Sequence, residues 1–224
     1  MGIYTLGDKS FYFVHNPRTS GRYVRALIEN TPSMISEYNQ HGKDFVKGRD
    51  VAHLHYPLFE HYLPTKDIPQ IAIVRNPIDR FVSCIRAMFN MHGEDYNLLM
   101  ENEDDFKKFV LLHIDAFSFK NNWFLPQNRF IGPKTKFWKY EDGIDDNFFK
   151  WVHKNTGVKV NNNPLITYQK FKSEKDPYKY QLDDHIEKYI YNFYKDDYIK
   201  FGYEEYGIKK IFPKFSLFKK FNFY

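Results

Sequence analysis

Cysteine is nearly absent, because Cys84 is the only one in 224 residues. A single thiol cannot form an internal disulfide. Long apolar runs are absent as well, and no stretch approaches the ~18 residues that a membrane-spanning helix needs. The first ten residues lack the basic region and apolar core of a secretory signal. Together these absences predict a soluble protein without a transmembrane segment, in the reducing environment of the cytoplasm.

A strong excess of one charge is also absent. The formal net charge of +5 predicts a weak attraction to anions and does not by itself indicate a nucleic-acid partner. The hydrophobic fraction of 42% excludes wholesale disorder. The length indicates a single domain over residues 1–208. We expect the basic, aromatic segment 209–224 to form a tail that is loosely docked or bound to a membrane surface or a partner.

Two strand-turn-helix units predict the fold. Phe11 to His15 form an apolar run before a polar turn, and Ile71 to Val74 form a second run. Pro77 follows this second run, at a position that the first turn of a helix tolerates. Apolar residues then recur at helical spacing after each turn. Two such units predict an α/β fold, a three-layer sandwich with a central parallel sheet and helices on both faces.

The remaining chain adds further expected elements. The patterns predict a helix over 104–119, a strand at "KFWKY" (136–140), and a helix from Asp145 to Asn155 that ends near Gly157. A long loop is expected over 161–181. A final amphipathic helix is expected over 183–201, with its apolar face inward.

The two turns carry the residues that suggest chemistry. The first turn, "NPRTSG" (16–21), combines an arginine with the start of a predicted helix. A helix N-terminus and a guanidinium both attract negative charge, so this turn favours binding of an anion. Alternatively, Pro, Ser and Gly form an ordinary connector between a strand and a helix. In "VRNPIDRFVS" (74–83) Arg75, Arg80 and Ser83 offer guanidinium groups and a hydroxyl to one anion at the carboxyl end of the sheet. Alternatively, these arginines are surface residues paired with Asp79 and its neighbours.

Taken together, the turns resemble the two nucleotide-binding signatures of sulfotransferases that use 3′-phosphoadenosine 5′-phosphosulfate (PAPS). By this resemblance, the first turn cradles the 5′-phosphosulfate and the second holds the 3′-phosphate. The residues implied for the first turn are Arg18, Thr19, Ser20, Gly21 and Arg22. For the second they are Arg75 and Ser83, with Arg80 as a supporting cation.

Four further blocks resemble the membrane-anchored carbohydrate branch of that family. They are "HLHYPLF" (53–59), "FLPQNRFIG" (124–132), "FWKYEDG" (137–143) and "YKDDYIKFGYE" (194–204). The chain lacks the anchor and disulfides of that branch, and the glycine-rich C-terminal signature of the cytosolic branch. The resemblance implies a compact relative, from a bacterium or a virus, with a P-loop-like sulfotransferase fold. It also implies PAPS as donor, the spent nucleotide PAP as product and a glycan hydroxyl as the preferred acceptor, with tyrosine, a lipid headgroup or a small metabolite as alternatives. No metal is expected, because no carboxylate cluster offers a magnesium site.

His53 and His55 are the candidates for the base that activates the acceptor hydroxyl, with Glu60 and His61 as more remote alternatives. In an extended segment, residues two apart share a face, so both imidazoles would point the same way. The resemblance gives a slight preference for His55. Arg18 lies at the position where the family usually has a lysine. Its guanidinium can neutralise a leaving phosphate but is a poor proton donor.

Other functions stay open at this point. One is a nucleotide-binding protein with impaired catalysis, for which Arg18 is the hint. Another is a basic protein that binds nucleic acid through its aromatic residues. A P-loop NTPase is disfavoured because no Gly-Lys-Ser/Thr triplet follows either turn, and no His, Cys and Asp cluster has metal-ligand spacing.

Overall fold

The computed structural model of the chain describes residues 2–39, 45–46, 49–50, 53–92, 108, 122–161 and 184–204. Within these residues there are seven strands: β1 (Gly2–Leu6), β2 (Lys9–Val14), β3 (Ile35–Glu37), β4 (Phe45–Val46), β5 (Arg49–Asp50), β6 (Gln70–Val74) and β7 (Lys136–Lys139). The α-helices are α1 (Gly21–Glu29), α2 (Leu58–Tyr62), α3 (Pro77–His92), α4 (Asp146–Thr156), α5 (Asp184–Phe193) and α6 (Lys195–Phe201). None of these helices is long and apolar enough to cross a membrane.

The main sheet is mixed, which corrects the expectation of a parallel one. Its order is β3-β1-β2-β6-β7, and β4 pairs with β5 in a separate two-stranded sheet. The strands β2, β6 and β7 are parallel, as the two strand-turn-helix units predict. The hairpin of β1 and β2 and the pairing of β1 with β3 are antiparallel. No strand was predicted before β2, and the antiparallel half of the sheet comes from this hairpin and from the pairing of β1 with β3.

Alternating side chains of the strands enter two separate cores. Phe11, Phe13, Ile71 and Ile73 face one side of the sheet, where they pack with apolar residues of α1 and α4. Their neighbours along β2 and β6 face the other side, with residues of α2 and α6. Successive side chains of a strand point to opposite faces, and a core covers each face. Both faces of these central strands are therefore buried. A third core lies between α3 and α5.

Several expected elements are confirmed. The helix α3 begins at Pro77, and β7 covers most of "KFWKY". The helix α4 has Asp145 as its N-cap, with the carboxylate accepting from two backbone N–H groups, and Gly157 in the left-handed conformation at its C-cap.

The expected final helix is two helices, α5 and α6, which meet at Tyr194. This residue has a φ of −104° and a ψ of 16°, so the backbone leaves helical geometry there. The helix expected over 104–119 lies outside the described residues apart from residue 108, as do residues 162–181 of the expected loop and the tail 209–224.

Candidate anion-binding site

The two turns singled out in the sequence lie side by side. The first follows β2 and the second follows β6, and these strands pair in parallel with Val14 opposite Ala72. Both turns therefore leave the same edge of the sheet and both lead into helices, α1 and α3. This is the edge at which open α/β sheets bind ligands.

The first turn is held in an unusual backbone conformation. Arg18 and Ser20 both have a φ of 64°, the left-handed region that non-glycine residues seldom occupy. The turn is braced from inside, since the Thr19 hydroxyl donates to the Asn16 carbonyl at 2.7 Å. Left-handed residues in a turn direct successive N–H groups into a concave surface that suits an anion. Thr19 itself is buried, so its expected contact with a ligand would come from its backbone.

The start of α1 is open to such an anion. Ser20 occupies the N-cap position, yet its side chain makes no capping hydrogen bond. The helix α3 differs, because the Asn76 side chain accepts from the N–H groups of Ile78 and Asp79 at 3.0 and 3.3 Å. Of these two helices, α1 is therefore the one whose first N–H groups are not capped by the N-cap side chain and can donate to an anion. Arg22 is exposed in the same turn of α1.

Three residues join the two turns. The Arg18 Nε donates to the Ser83 hydroxyl at 3.1 Å, and an Nη of Arg75 lies 3.5 Å from the Arg18 carbonyl oxygen. The Arg75 guanidinium lies over the ring of Tyr140, 4.8 Å from its centroid. Its Nε is buried and has no hydrogen-bond partner among the described residues. The structure thus brings together Arg18, Arg75 and Ser83, from both predicted signatures.

Arg80 occupies a different position. Its side chain is fully buried, and its two terminal nitrogens donate to the carbonyl oxygens of Trp123 and Leu125 at 2.7 and 2.6 Å. The guanidinium also faces the Tyr194 ring. These contacts tie the segment 122–125 to α3, so the geometry favours a structural role for Arg80 over contact with an anion.

Ring contacts connect one of the two candidate bases, His53, to the first turn. Residues 53–55 lie in no strand, so the expectation that both imidazoles share a face of an extended segment does not apply. The His53 ring lies 4.7 Å from the ring of His15, which directly follows β2, and meets the Trp123 ring edge-on at 6.3 Å. His53 is therefore attached to the first turn. His55 accepts the N–H of Phe59 at its carbonyl oxygen.

Sequence reasoning missed His15. Its ring lies so close to Gly21 that a Cβ on that residue would overlap the imidazole. Burial lowers the pKa of His15 well below the usual 6.5, and the nearby His53, Arg25 and Arg22 lower it further. The imidazole is thus neutral at neutral pH. The signal for it in the sequence was its position directly between a buried strand and the polar turn.

The neutral His15 predicts how stability depends on pH. Below about pH 6.5 the unfolded chain binds a proton at this residue and the folded chain does not, so the free energy of unfolding should fall as the pH is lowered. The slope from this one group is at most about 1.4 kcal/mol per pH unit. Denaturant unfolding of the wild type and of His15→Gln between about pH 5 and 7 measures it. The exposed His153, replaced in the same way, is the control; a slope unchanged in His15→Gln would contradict this account.

Among the described residues, no group of three or more His, Cys, Asp or Glu side chains could hold a metal ion. Comparison with family models, with curated proteins and with solved structures finds no match to this chain.

Proposed function

We propose that the protein is a PAPS-dependent sulfotransferase that transfers a sulfuryl group to an acceptor hydroxyl, on a carbohydrate. One observation carries the proposal: the two signature turns converge at one sheet edge, where Arg18 of the first donates to Ser83 of the second. Their distance in sequence, 65 residues, makes this convergence a product of the fold. The proposal includes the finer fold assignment, a three-layer P-loop-like sulfotransferase fold, and a cytoplasmic location.

The residues present fit the donor. The open N-terminus of α1 and the left-handed Arg18 and Ser20 would hold the 5′-phosphosulfate through backbone N–H groups. The buried Arg75 Nε and the Ser83 hydroxyl offer donors to the 3′-phosphate. Both groups of donors are partly buried, which strengthens their attraction to a charged ligand relative to water.

The chain's own residues account for the remaining requirements of transfer. When bound, PAPS supplies a sulfuryl group on a phosphate leaving group. Transfer would form the bond between the acceptor oxygen and sulfur and break the bond between sulfur and the bridging oxygen, which would leave with the 5′-phosphate. Arg18 neutralises the charge that grows on the 5′-phosphate, and one imidazole nitrogen of His53 takes the acceptor proton. His15, packed on the His53 ring, stays neutral and adds no competing positive charge.

The alternative of a nucleic-acid binder has less support. Many aromatic side chains of the described part are fully buried in the cores and offer no stacking surface. They include Phe11, Phe13, Phe59, Phe81 and Phe124. An impaired nucleotide-binding protein would use the same donors, and measured turnover of PAPS separates it from an enzyme.

The proposed site should prefer a nucleotide with a 3′-phosphate. We expect PAP to bind at least ~10-fold more tightly than AMP or ATP, because a charge-assisted contact contributes about 1.5–3 kcal/mol. Titration calorimetry of the wild type and of Arg75→Ala measures this preference, which the variant should lose. Arg129→Ala removes an exposed arginine outside the site and should retain it. Equal affinity of the wild type for PAP and AMP would remove the case for a PAPS site.

A further inference from the structure

The side-chain amide of Gln127 lies between the two turns. Its Oε1 accepts from Asn16 Nδ2 at 2.8 Å and from the Arg75 backbone N–H at 2.9 Å. Its Nε2 donates to the Arg75 carbonyl oxygen at 2.7 Å. Gln127 is fully buried, its bond to Asn16 is buried, and its two bonds to Arg75 are partly buried. One side chain therefore contacts both turns.

This amide takes the place of a neighbouring strand. The strand β6 ends at Val74, and beyond it Arg75 has no ladder partner among the described strands. Gln127 meets both the N–H and the carbonyl of Arg75, as a peptide group of a paired strand would. On the other side, Asn16 Nδ2 donates to the Ile73 carbonyl at 3.0 Å. The two amide side chains thus extend hydrogen bonding of the sheet into the turns.

The backbone of Gln127 is itself fixed. The Asp197 carboxylate accepts from the N–H of Gln127 at 2.7 Å and from that of Asn128 at 2.8 Å. Asp197 belongs to α6 and is fully buried. The position of the amide is therefore determined by the far end of the described chain, 70 residues away from it.

We propose that Gln127 is a positioning residue that sets the direction of the Arg75 side chain and thereby the preference for a second anionic group on the ligand. The inference rests on the proposed function and explains how the site selects a ligand with a 3′-phosphate. With both backbone groups of Arg75 held, the guanidinium leaves the sheet edge in one direction, over Tyr140. Without Gln127, Arg75 keeps its charge but loses this direction.

The test is the ratio of affinities for PAP and AMP in three proteins. Gln127→Met keeps the length of the side chain and removes its hydrogen bonds. We expect its PAP-to-AMP ratio to fall about 10-fold, the equivalent of one charge-assisted contact, while AMP affinity changes little. Asn128→Ala is the matched control: it is the neighbouring residue, its contact with Asp197 uses the backbone, and its ratio should equal that of the wild type.

The outcomes separate the two proposals. If the wild type prefers PAP and folded Gln127→Met keeps the same ratio, Gln127 does not position Arg75 and the inference is overturned. If both affinities fall alike, the role is merely structural, which also overturns it. A wild type without preference overturns the proposed function and this inference with it. Should Gln127→Met fail to fold, Gln127→Asn, which keeps a neutral amide but is one methylene too short to hold both backbone groups of Arg75, decides by the same ratio.

Discussion

Replacement of His53 by alanine is expected to lower sulfuryl transfer ~10²–10⁴-fold, the usual contribution of general base catalysis. Affinity for PAP should stay nearly unchanged, because in the proposed mechanism the imidazole serves the acceptor hydroxyl and not the nucleotide. The expectation rests on the contact between the rings of His53 and His15, which attaches His53 to the first turn. Steady-state turnover of PAPS, together with calorimetry of PAP binding, measures the two effects separately.

The comparison with His55 makes this experiment decisive. His55→Ala should retain most of the turnover, and His153→Ala, which removes an exposed imidazole on α4, should retain all of it. A large loss in His55→Ala with full activity in His53→Ala would assign the base to His55, the residue favoured by the sequence resemblance. Full turnover in both variants would show that the base lies elsewhere and that the mechanism is wrong.

Replacement of Arg18 should change binding and turnover together. The negative charge on the 5′-phosphate exists before the reaction and grows in the transition state, so Arg18→Ala loses an interaction in both. We expect PAP affinity to fall ~10- to 100-fold, the range for a lost charge-assisted hydrogen bond, with a further fall in turnover. Calorimetry and steady-state rates on the same preparation provide both values.

Arg18→Lys is the informative conservative variant. It retains the positive charge, loses the Nε that donates to Ser83, and gains an ammonium that can donate a proton. Substantial activity in Arg18→Lys, with little in Arg18→Ala, is the expected pattern. Arg129→Ala controls for the loss of an arginine outside the site. If Arg18→Ala binds PAP and turns over normally, the first turn does not hold the phosphosulfate.

The sequence was sufficient to predict the helix ends that are determined by residues within one helical turn. Pro77 at the start of α3, Asp145 at the N-cap of α4 and Gly157 after its end each act within one helical turn. The mixed character of the sheet was missed, because strand-turn-helix units specify only their parallel neighbours. The turn between β1 and β2 consists of Gly7 and Asp8, with Gly7 at a φ of 64°, a hairpin signal that the strand assignment did not use.

For the candidate site as well, the sequence predicted the residues of the local motifs and missed the contacts between distant segments. The motifs predicted that Arg18, Arg75 and Ser83 belong to one site, because parallel strands bring their turns to one edge. They did not predict the burial of Arg80, since the carbonyl oxygens that it contacts lie 43 and 45 residues further along the chain. Gln127 was missed for a similar reason. Nothing in its immediate neighbours indicates contacts with Asn16 and Arg75, and only the assembled fold brings them together.

The pairing of β2 has a consequence for the order of folding. On one side it pairs with β1 through a two-residue turn, with Leu6 opposite Lys9. On the other side it pairs with β6, and the bond from Asn16 to Ile73 spans 57 residues. Closing a loop of that length costs about 2–3 kcal/mol more chain entropy than closing the hairpin. The hairpin can thus form on a microsecond scale from local contacts, whereas the two turns of the candidate site meet only when the non-local half of the sheet is complete.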